Sequence, residues 1–395
     1  MKDGNKNRLR EQDIKRIVDT WNARHDVPHY AKFVPISGEN SIEANDYNLN
    51  IPRYIQPADT EICQDIDAHL HGGIPKHDVE QLSAYWTVCP SLRSALFDET
   101  AERITLRTDK ATIANVIAAD HSFIEQKNHF SRSIKAWCDN MRPLFRGLTT
   151  NIKPKALIEE WAQSLLDIMK EDKSLVDAYD AYQQLLTYWH DTLQDDCYII
   201  SHDGWKPTLL RGTKKTATYE DMVCDLLPVG IVLNEYFADE LEEIATITAE
   251  RDEVAAELQA MIDVVLDESA EDDEDEIKAL TDEVKKTKEY KAKDKVRKAI
   301  DKRLKEKKAA LTEAVAAKYA AFTEAEVIDL VVEKKWIATI TTMIQSEMQQ
   351  VTQRLTANIA AIVERYEQTL SVIDAEVSDL EAKVNSHLAK MGFSL

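Results

Sequence analysis

The sequence predicts a mainly α-helical protein, and three observations lead to that prediction. Only 9 of the 395 residues are Gly and 10 are Pro, whereas 30% are charged. Apolar residues recur at three- and four-residue spacing, which is the period of an amphipathic helix. Long stretches rich in Ala, Glu, Lys and Leu are typical of long helices. We expect an irregular N-terminal segment (1–60), a compact helical domain (61–227) and a long antiparallel coiled-coil-like helical arm (228–395).

The N-terminal segment begins with a basic stretch at 6–10 that leads into a short predicted helix. Ile14, Ile17, Val18 and Trp21 recur there at helical spacing, and we interpret this helix as a docking element. Residues 33–57 are predicted to be irregular, because Pro and Gly punctuate them and their Asn side chains can hydrogen-bond to the backbone. Such chain depends on tertiary contacts or on a partner.

The central region contains four helical patterns, at 79–89, 112–141, 155–169 and 175–193, with aromatic-rich apolar faces. Cys197 to Ile200 is a strand candidate that would run into Trp205 through a small hairpin. The remaining punctuation predicts structural turns. The candidate turn residues are Gly72, Gly73, Asp195, Asp196, Asp203 and Gly204.

Three long amphipathic stretches follow Pro228. The first has a coiled-coil seam from Ile244 to Val265, the second is Lys-rich at 277–322 beyond an acidic block at 267–276, and the third follows Trp336. Their simplest packing is an antiparallel arm. The Lys-rich run has two open interpretations: a DNA-backbone contact, or a solvated face paired with the acidic helix next to it.

Composition limits the function. The net charge of −22 argues against a chain that grips DNA over its whole face, because nucleic-acid affinity comes largely from neutralised phosphates. The five Cys are odd in number and widely spaced, so we expect reduced, packed thiols. No apolar run is long enough for a membrane span, and we expect a cytoplasmic protein without a membrane partner.

A block at 45–54 resembles one in a known family. Asn48-Leu49-Asn50-Ile51-Pro52-Arg53-Tyr54 is similar to the block that closes the methyltransferase domain in adenine-N6 DNA methyltransferase (M) subunits of type I restriction-modification systems. The basic lead-in before the first helix is also similar. The matching residues, which are candidate contacts to DNA or to a subunit, are Asn7, Arg8, Arg10, Asn45, Tyr47, Asn48, Asn50, Pro52, Arg53 and Tyr54.

The likeness extends beyond that block. Stretches at 68–75, 84–93, 194–196, 203–205, 330–336 and 387–393 resemble the C-terminal extension of long-form M subunits. The family's glycine-rich cofactor loop and its Asn/Asp-Pro-Pro-Tyr/Phe catalytic motif do not occur. The resemblance therefore implies the C-terminal half of an M subunit, inactive alone, with no catalytic, cofactor or metal residues in this chain.

In the family, the whole M subunit transfers a methyl group from S-adenosylmethionine to adenine N6, so that cofactor is expected only for the complete subunit. A specificity subunit reads the DNA target and a restriction subunit can join. The C-terminal helices of M pack on helical spacers of the specificity subunit. The resemblance thus implies an assembly role, with bracing of DNA as a further one.

Two alternatives belong to other classes. The first is a stand-alone coiled-coil scaffold or decoy that binds restriction-modification components. The second is a metal-dependent enzyme built on His190, Asp191, Asp195, Asp196, His202 and Asp203, whose oxygen and nitrogen ligands suit a divalent cation but match no established spacing.

Overall fold

The fold class predicted from the sequence is confirmed: a computed structural model of the chain is mainly α-helical. The structure describes residues 2–3, 6–55, 64–100, 103–150, 152–171, 174–214, 216–268 and 274–391. Cys63, Pro57, residues 269–273 of the acidic block and residues 392–393 of the last family match lie outside them. Among the described residues, no helix has the length and apolarity needed to cross a membrane.

Two small antiparallel sheets accompany the helices. Strand β1 (Lys2–Asp3) pairs with β2 (Lys6–Asn7), and β3 (Phe97–Glu99) pairs with β4 (Ile104–Leu106). In the first half of the described chain the α-helices are α1 (Glu11–Ala23), α2 (Ile66–His71), α3 (Lys76–Glu80), α4 (Ser83–Val88), α5 (Pro90–Leu96), α6 (Ile113–Ala119), α7 (His121–Arg146), α8 (Pro154–Glu171) and α9 (Ala178–Tyr188).

The second half contains the longest helices. They are α10 (Gln194–Asp203), α11 (Val229–Tyr236), α12 (Ala238–Glu268), α13 (Glu274–Lys286), α14 (Lys288–Ala321), α15 (Glu324–Asp329), α16 (Ala338–Arg365) and α17 (Leu370–Lys390). Two π-helices, Trp189–Leu193 and Leu330–Ile337, continue from α9 and α15.

The chain forms two compact units that are each discontinuous in sequence. Unit 1 comprises 1–141, 155–191 and 340–395, and unit 2 comprises 142–154 and 192–339. The core of unit 1 is aromatic-rich, as its helical patterns predicted, with Trp137 and Trp161 almost fully buried. The indole rings of Trp161 and Trp189 meet edge to face, with their centroids 6.1 Å apart. The predicted boundaries at 60 and 227 stay predictions.

Unit 2 contains an antiparallel helical hairpin made by α12 and α14. Ion pairs join Lys293 to Glu257 (2.8 Å), Arg303 to Glu250 (3.4 Å) and Lys307 to Glu243 (2.7 Å). Because the basic partners ascend in number while the acidic partners descend, the two helices run in opposite directions. Three basic residues of the Lys-rich run thus pair with the acidic helix next to it, as in one of the two interpretations left open by the sequence.

A buried ion pair in unit 2 joins α10 to the π-helix Leu330–Ile337. The Lys335 ammonium donates to Asp196 Oδ1 (2.7 Å) and to the carbonyl oxygens of Asp225 (2.6 Å) and Leu226 (3.0 Å). The indole Nε1 of Trp336 donates to the other carboxylate oxygen of Asp196 at 2.7 Å. Burial raises the pKa of Asp196, although Lys335 and Trp336 oppose that effect.

Three sequence predictions need correction. Cys197 to Ile200 is not a strand but lies within α10, and Asp195 and Asp196 lie in the first turn of that helix instead of in a turn between elements. The third long stretch is not in the same compact unit as the hairpin, because α16 from residue 340 and α17 belong to unit 1. Cys197 and Ile200 are buried apolar positions three residues apart, so they satisfy a helical face equally well.

The cysteines that the structure describes agree with the prediction of reduced, packed thiols. Cys89, Cys138, Cys197 and Cys224 are buried thiols. Burial raises the thiol pKa of Cys89 to about 11 and that of Cys197 to about 12. Since the thiolate is the reactive form, these side chains act as core residues.

Candidate functional site

Helix α1 is amphipathic, and its polar side is the one that packs on its own chain. Gln12 is only 8% exposed. Its backbone N–H donates to Gln183 Oε1 (3.1 Å), and its side-chain amide donates to Asp180 Oδ1 (2.8 Å). One turn further on, Arg16 pairs with Asp177 at 3.0 Å. These contacts hold α1 against α9 through polar groups.

Asp19 is the second anchor of α1. Its carboxylate accepts hydrogen bonds from Lys15 Nζ (2.8 Å), Lys170 Nζ (2.9 Å) and the Tyr179 hydroxyl (3.0 Å). Burial acts to raise the pKa of Asp19, but these three donors together outweigh it, and the pKa is lowered. Asp19 is therefore an ionised anchor that joins α1 to α8 and α9.

The apolar side of α1 faces away from these contacts. Ile14, Ile17, Val18 and Trp21 are all exposed, with Ile17 at 48% and Trp21 at 73%. A helix on a protein surface normally buries this stripe and exposes its polar side. In α1 the two roles are exchanged, so the residues that the structure describes leave much of the stripe uncovered.

The chain after α1 extends this apolar surface. Tyr30, Phe33 and Ile36 are exposed as well. The guanidinium of Arg16 lies 4.6 Å from the centre of the Tyr30 ring and positions that part of the loop. Between α1 and the loop is a groove of ≈ 870 Å³, lined partly by Ile17, Trp21 and Phe33. We call the exposed apolar residues of α1 and this loop the α1 face.

The family-like block is a compact turn with outward-pointing side chains. Ile51–Arg53 form one turn of 3-10 helix, in which Pro52 supplies the fixed φ. Asn48 Oδ1 accepts the Asn50 N–H at 2.9 Å, and the Tyr54 hydroxyl donates to the Asn48 carbonyl oxygen. The side chains of Leu49 and Ile51 remain largely exposed. Internal hydrogen bonds thus fix the block while its apolar side chains stay uncovered.

The other family-like positions have local roles. The Arg10 guanidinium pairs with Asp13 at 3.1 Å and closes the N-terminus of α1, while Asn45 donates to the Ser41 carbonyl oxygen at 3.0 Å. Tyr47 has a left-handed backbone (φ 58°) and an exposed ring. Arg8 and Arg53 are exposed, and Asn7 lies in β2. Of the family-like positions, those at 45–54 lie in one short loop that ends in the 3-10 turn.

The predicted glycine turns lie where the backbone needs them. Gly72, Gly73 and Gly204 have φ of 80°, 90° and 70°, and Gly72 and Gly204 follow the last residues of α2 and α10. A Cβ at Gly73 would lie 3.1 Å from Arg103 Cβ, which explains the need for glycine. Asp203 is the last residue of α10.

The acidic and histidine positions at 190–203 do not form a metal site in the described chain. No group of three or more His, Cys, Asp or Glu side chains able to hold a metal ion occurs there or elsewhere in the described ranges. Asp196, the most buried of these side chains, is occupied by Lys335 and Trp336.

A second exposed apolar stripe lies on α17. Leu370, Ile373, Val377, Leu380 and Val384 of this helix and Met391 just after it are all exposed, and no residue of α17 is buried. The positions 370, 373, 377, 380 and 384 follow the three- and four-residue steps of a coiled-coil seam, and 391 lies one seven-residue repeat after 384. We call these residues the α17 stripe. In contrast, Val351, Leu355, Ile362 and Tyr366 of the same predicted stretch are buried in unit 1.

Sequence reasoning predicted both helices but missed which of their sides is free. The missed residues include Gln12 and Asp19, which anchor α1, and Tyr30, which lines the groove. The sequence did contain one signal: polar positions 12, 16 and 19 follow helical spacing just as the apolar positions do. Only the contacts of α9 decide which set is covered.

Comparison with known proteins adds one finding. Residues 1–62 match the model of the family described as N-6 DNA Methylase. This match relates the N-terminal segment, including α1 and the family-like block, to N-6 DNA methylases. No curated protein matches the chain, and no solved structure does either.

Proposed function

We propose that this chain serves as the C-terminal portion of a type I restriction-modification M subunit and acts in assembly. In this proposal the α1 face packs on a methyltransferase domain, and the α17 stripe packs on the specificity subunit. The observation that carries the proposal is the reversed orientation of α1 within the segment that matches N-6 DNA methylases.

The α1 face has the properties of a surface that is covered in a complex. Its polar anchors leave the apolar side chains in water, and contiguous exposed apolar patches are uncommon on soluble monomers. Burial of apolar surface contributes a favourable hydrophobic free energy of roughly 25 cal/mol per Å². Residues 1–62 match the N-6 DNA Methylase family, so the partner that would cover these apolar side chains is the rest of a methyltransferase domain.

The α17 stripe fits a different kind of partner. Its seam of Leu370, Ile373, Val377 and Leu380 calls for one or more long helices with the same repeat. The long-form M subunits that this chain resembles use their C-terminal helices to contact helical spacers of the specificity subunit. The stripe therefore supports the specificity subunit as the second partner, with the restriction subunit joining the assembled complex.

This proposal assigns the chemistry to the partner domain. S-adenosylmethionine and the target adenine would bind the methyltransferase domain, and the specificity subunit would select the DNA sequence. The chain described here would hold the two together and would show no methyl transfer alone.

The test is co-expression of the chain with a type I methyltransferase domain and with its specificity subunit. We expect a stable complex by light scattering, and methyl transfer to DNA only when all three components are present. A chain that binds neither component would overturn the proposal and favour the stand-alone scaffold.

Two variants act as controls for each other. Ile17→Ser/Val18→Ser/Trp21→Ser should abolish retention of the methyltransferase domain and keep the specificity subunit. Val377→Ser/Leu380→Ser/Val384→Ser should do the reverse. All six side chains are exposed, so both variants should keep the helical circular dichroism of the native chain. Equal loss of both partners in either variant would contradict the assignment of two separate surfaces.

A further inference from the structure

The basic residues of α14 divide into two sets on different sides of the helix. The first set faces α12, where Lys293, Arg303 and Lys307 pair with glutamates. The same side carries the buried residues Leu311 and Val315 further along the helix. These contacts account for part of the Lys-rich run as structural ion pairs.

The second set consists of lysines that recur in three- and four-residue steps and are all exposed. They are Lys288, Lys291, Lys295, Lys298, Lys302 and Lys305. At 100° per residue, their mean direction is roughly 150° from the side that carries Lys293, Leu311 and Val315. They form a line about 25 Å long on the outer side of α14. We call this set the lysine stripe.

The lysine stripe is poorly neutralised by the chain itself. Lys298 pairs with Asp294 at 2.7 Å, and Lys302 lies 3.9 Å from Glu306 while remaining highly exposed. In the part of the chain that the structure describes, no ion pair within 4.0 Å is found for Lys288, Lys291, Lys295 or Lys305. A solvated helix usually alternates charges at i and i+4 to offset such repulsion.

The stripe is basic although the chain as a whole is acidic. The whole chain has 71 acidic and 49 basic residues, so six lysines in successive three- and four-residue steps are not expected from abundance. Like charges in a row repel one another and destabilise the helix. A polyanionic ligand would remove that repulsion.

We propose that the lysine stripe binds the phosphate backbone of duplex DNA. Lysine ammonium groups are compact point charges suited to phosphate, and a line of them without interleaved aromatic or amide side chains reads no base edges. Binding is therefore independent of DNA sequence. The choice of DNA over another polyanion rests on the proposed function, whose complex acts on DNA.

The length of the stripe fits a duplex. Double-stranded DNA carries one charge per about 1.7 Å of its axis, so a line of about 25 Å can reach several phosphates. Each neutralised phosphate contributes about 0.9 to the slope of log K against log salt. The stripe thus predicts a strong dependence of affinity on ionic strength.

The test measures fluorescence anisotropy of a labelled duplex of about 20 base pairs with the full chain alone, from about 50 to 200 mM salt. The variant Lys288→Gln/Lys291→Gln/Lys295→Gln removes three stripe charges that have no described ion pair. The control Lys127→Gln/Lys153→Gln/Lys206→Gln removes three exposed charges elsewhere, so the change in net charge is the same.

We expect the stripe variant to lose affinity about 10- to 100-fold and to lower the salt slope by about 2 to 3. The control should retain both the affinity and the slope of the native chain. Unchanged binding in the stripe variant, or an equal loss in the control, would overturn the proposal. Tighter binding to an RNA duplex of equal length would overturn DNA as the ligand.

The assay contains no methyltransferase domain and no specificity subunit. A failure to bind DNA therefore leaves the co-expression result untouched, and a failure to assemble leaves the DNA result untouched. Assembly and DNA binding are therefore tested by separate measurements.

Discussion

At the scale of single residues, Lys335 has the most demanding environment in unit 2. Its ammonium is buried and all its named partners are oxygen acceptors: one carboxylate oxygen of Asp196 and the carbonyls of Asp225 and Leu226. Removing one member of a buried ion pair leaves an uncompensated charge, which costs far more than the intact pair contributes. An uncharged side chain at position 335 would therefore leave the buried Asp196 carboxylate without its cation.

Lys335→Met should destabilise unit 2 by about 3 to 5 kcal/mol, because Asp196 would lose its cation inside the core. The double variant Asp196→Asn/Lys335→Met should recover part of that loss, since no buried carboxylate remains. Urea unfolding followed by circular dichroism checks both values. A double variant less stable than Lys335→Met would show that the pair is not the source of the effect.

The sequence could not have revealed this pair. Asp196 and Lys335 are separated by 139 positions, and periodicity gives no information about contacts at that range. The pattern around Asp196, with several acids and histidines, predicted a turn or suggested metal ligands. Trp336 was named in the family-like stretch 330–336 and as the residue that a long helix follows, with no partner predicted for its indole.

At the scale of elements, the N-terminus of α15 makes a pH-dependent contribution to stability. The Glu326 carboxylate accepts the Thr323 N–H (2.9 Å), the Thr323 hydroxyl (2.8 Å) and Lys318 Nζ (3.1 Å). These hydrogen bonds lower the pKa of Glu326 from 4.5 to about 2. The unfolded chain therefore takes up this proton at a higher pH than the folded chain does.

It follows that the contribution of Glu326 is fully present above pH 4.5 and is lost as the pH falls toward about 2. Glu326→Gln keeps an acceptor oxygen but cannot titrate. We expect the native chain to exceed this variant in thermal midpoint near neutral pH, with the difference shrinking through that acidic window. Parallel midpoint profiles of the two proteins would contradict the assigned pKa.

Helices were predictable at this scale because their apolar spacing is local, whereas their partners were not. The stripes of α16 and α17 look alike in sequence, yet Val351 and Leu355 are buried and Val377 and Leu380 are exposed. The pattern of α1 similarly predicted a docking helix without showing which side docks inward. The strand expected at 197–200 was wrong because a short apolar run satisfies either period.

At the scale of the whole molecule, the outer part of the α12–α14 hairpin begins and ends at neighbouring points, so it can be excised from the chain. Arg303 and Glu250 are paired at 3.4 Å, so the chain leaves and returns at neighbouring points. Residues 251–302 between them contain none of the seven Trp residues and five of the six lysines of the lysine stripe.

Replacing 251–302 by a flexible linker of about six residues, which spans about 13 Å, should leave the remaining helices folded. Tryptophan fluorescence and its urea midpoint should stay close to those of the native chain, while affinity for the DNA duplex should be lost. If the shortened chain had the tryptophan fluorescence of an unfolded protein, the excised residues would be needed to support the rest of unit 2.

The division of unit 1 into distant sequence segments has a consequence for synthesis in the cell. Its helices α7 to α9 emerge from the ribosome well before α16, whose Ile344, Met348 and Val351 complete the same core. At about 5 to 20 residues per second, the intervening 192–339 takes roughly seven to thirty seconds to make. During that interval an unfilled apolar core waits for its last helix, which makes the nascent chain a natural client of chaperones.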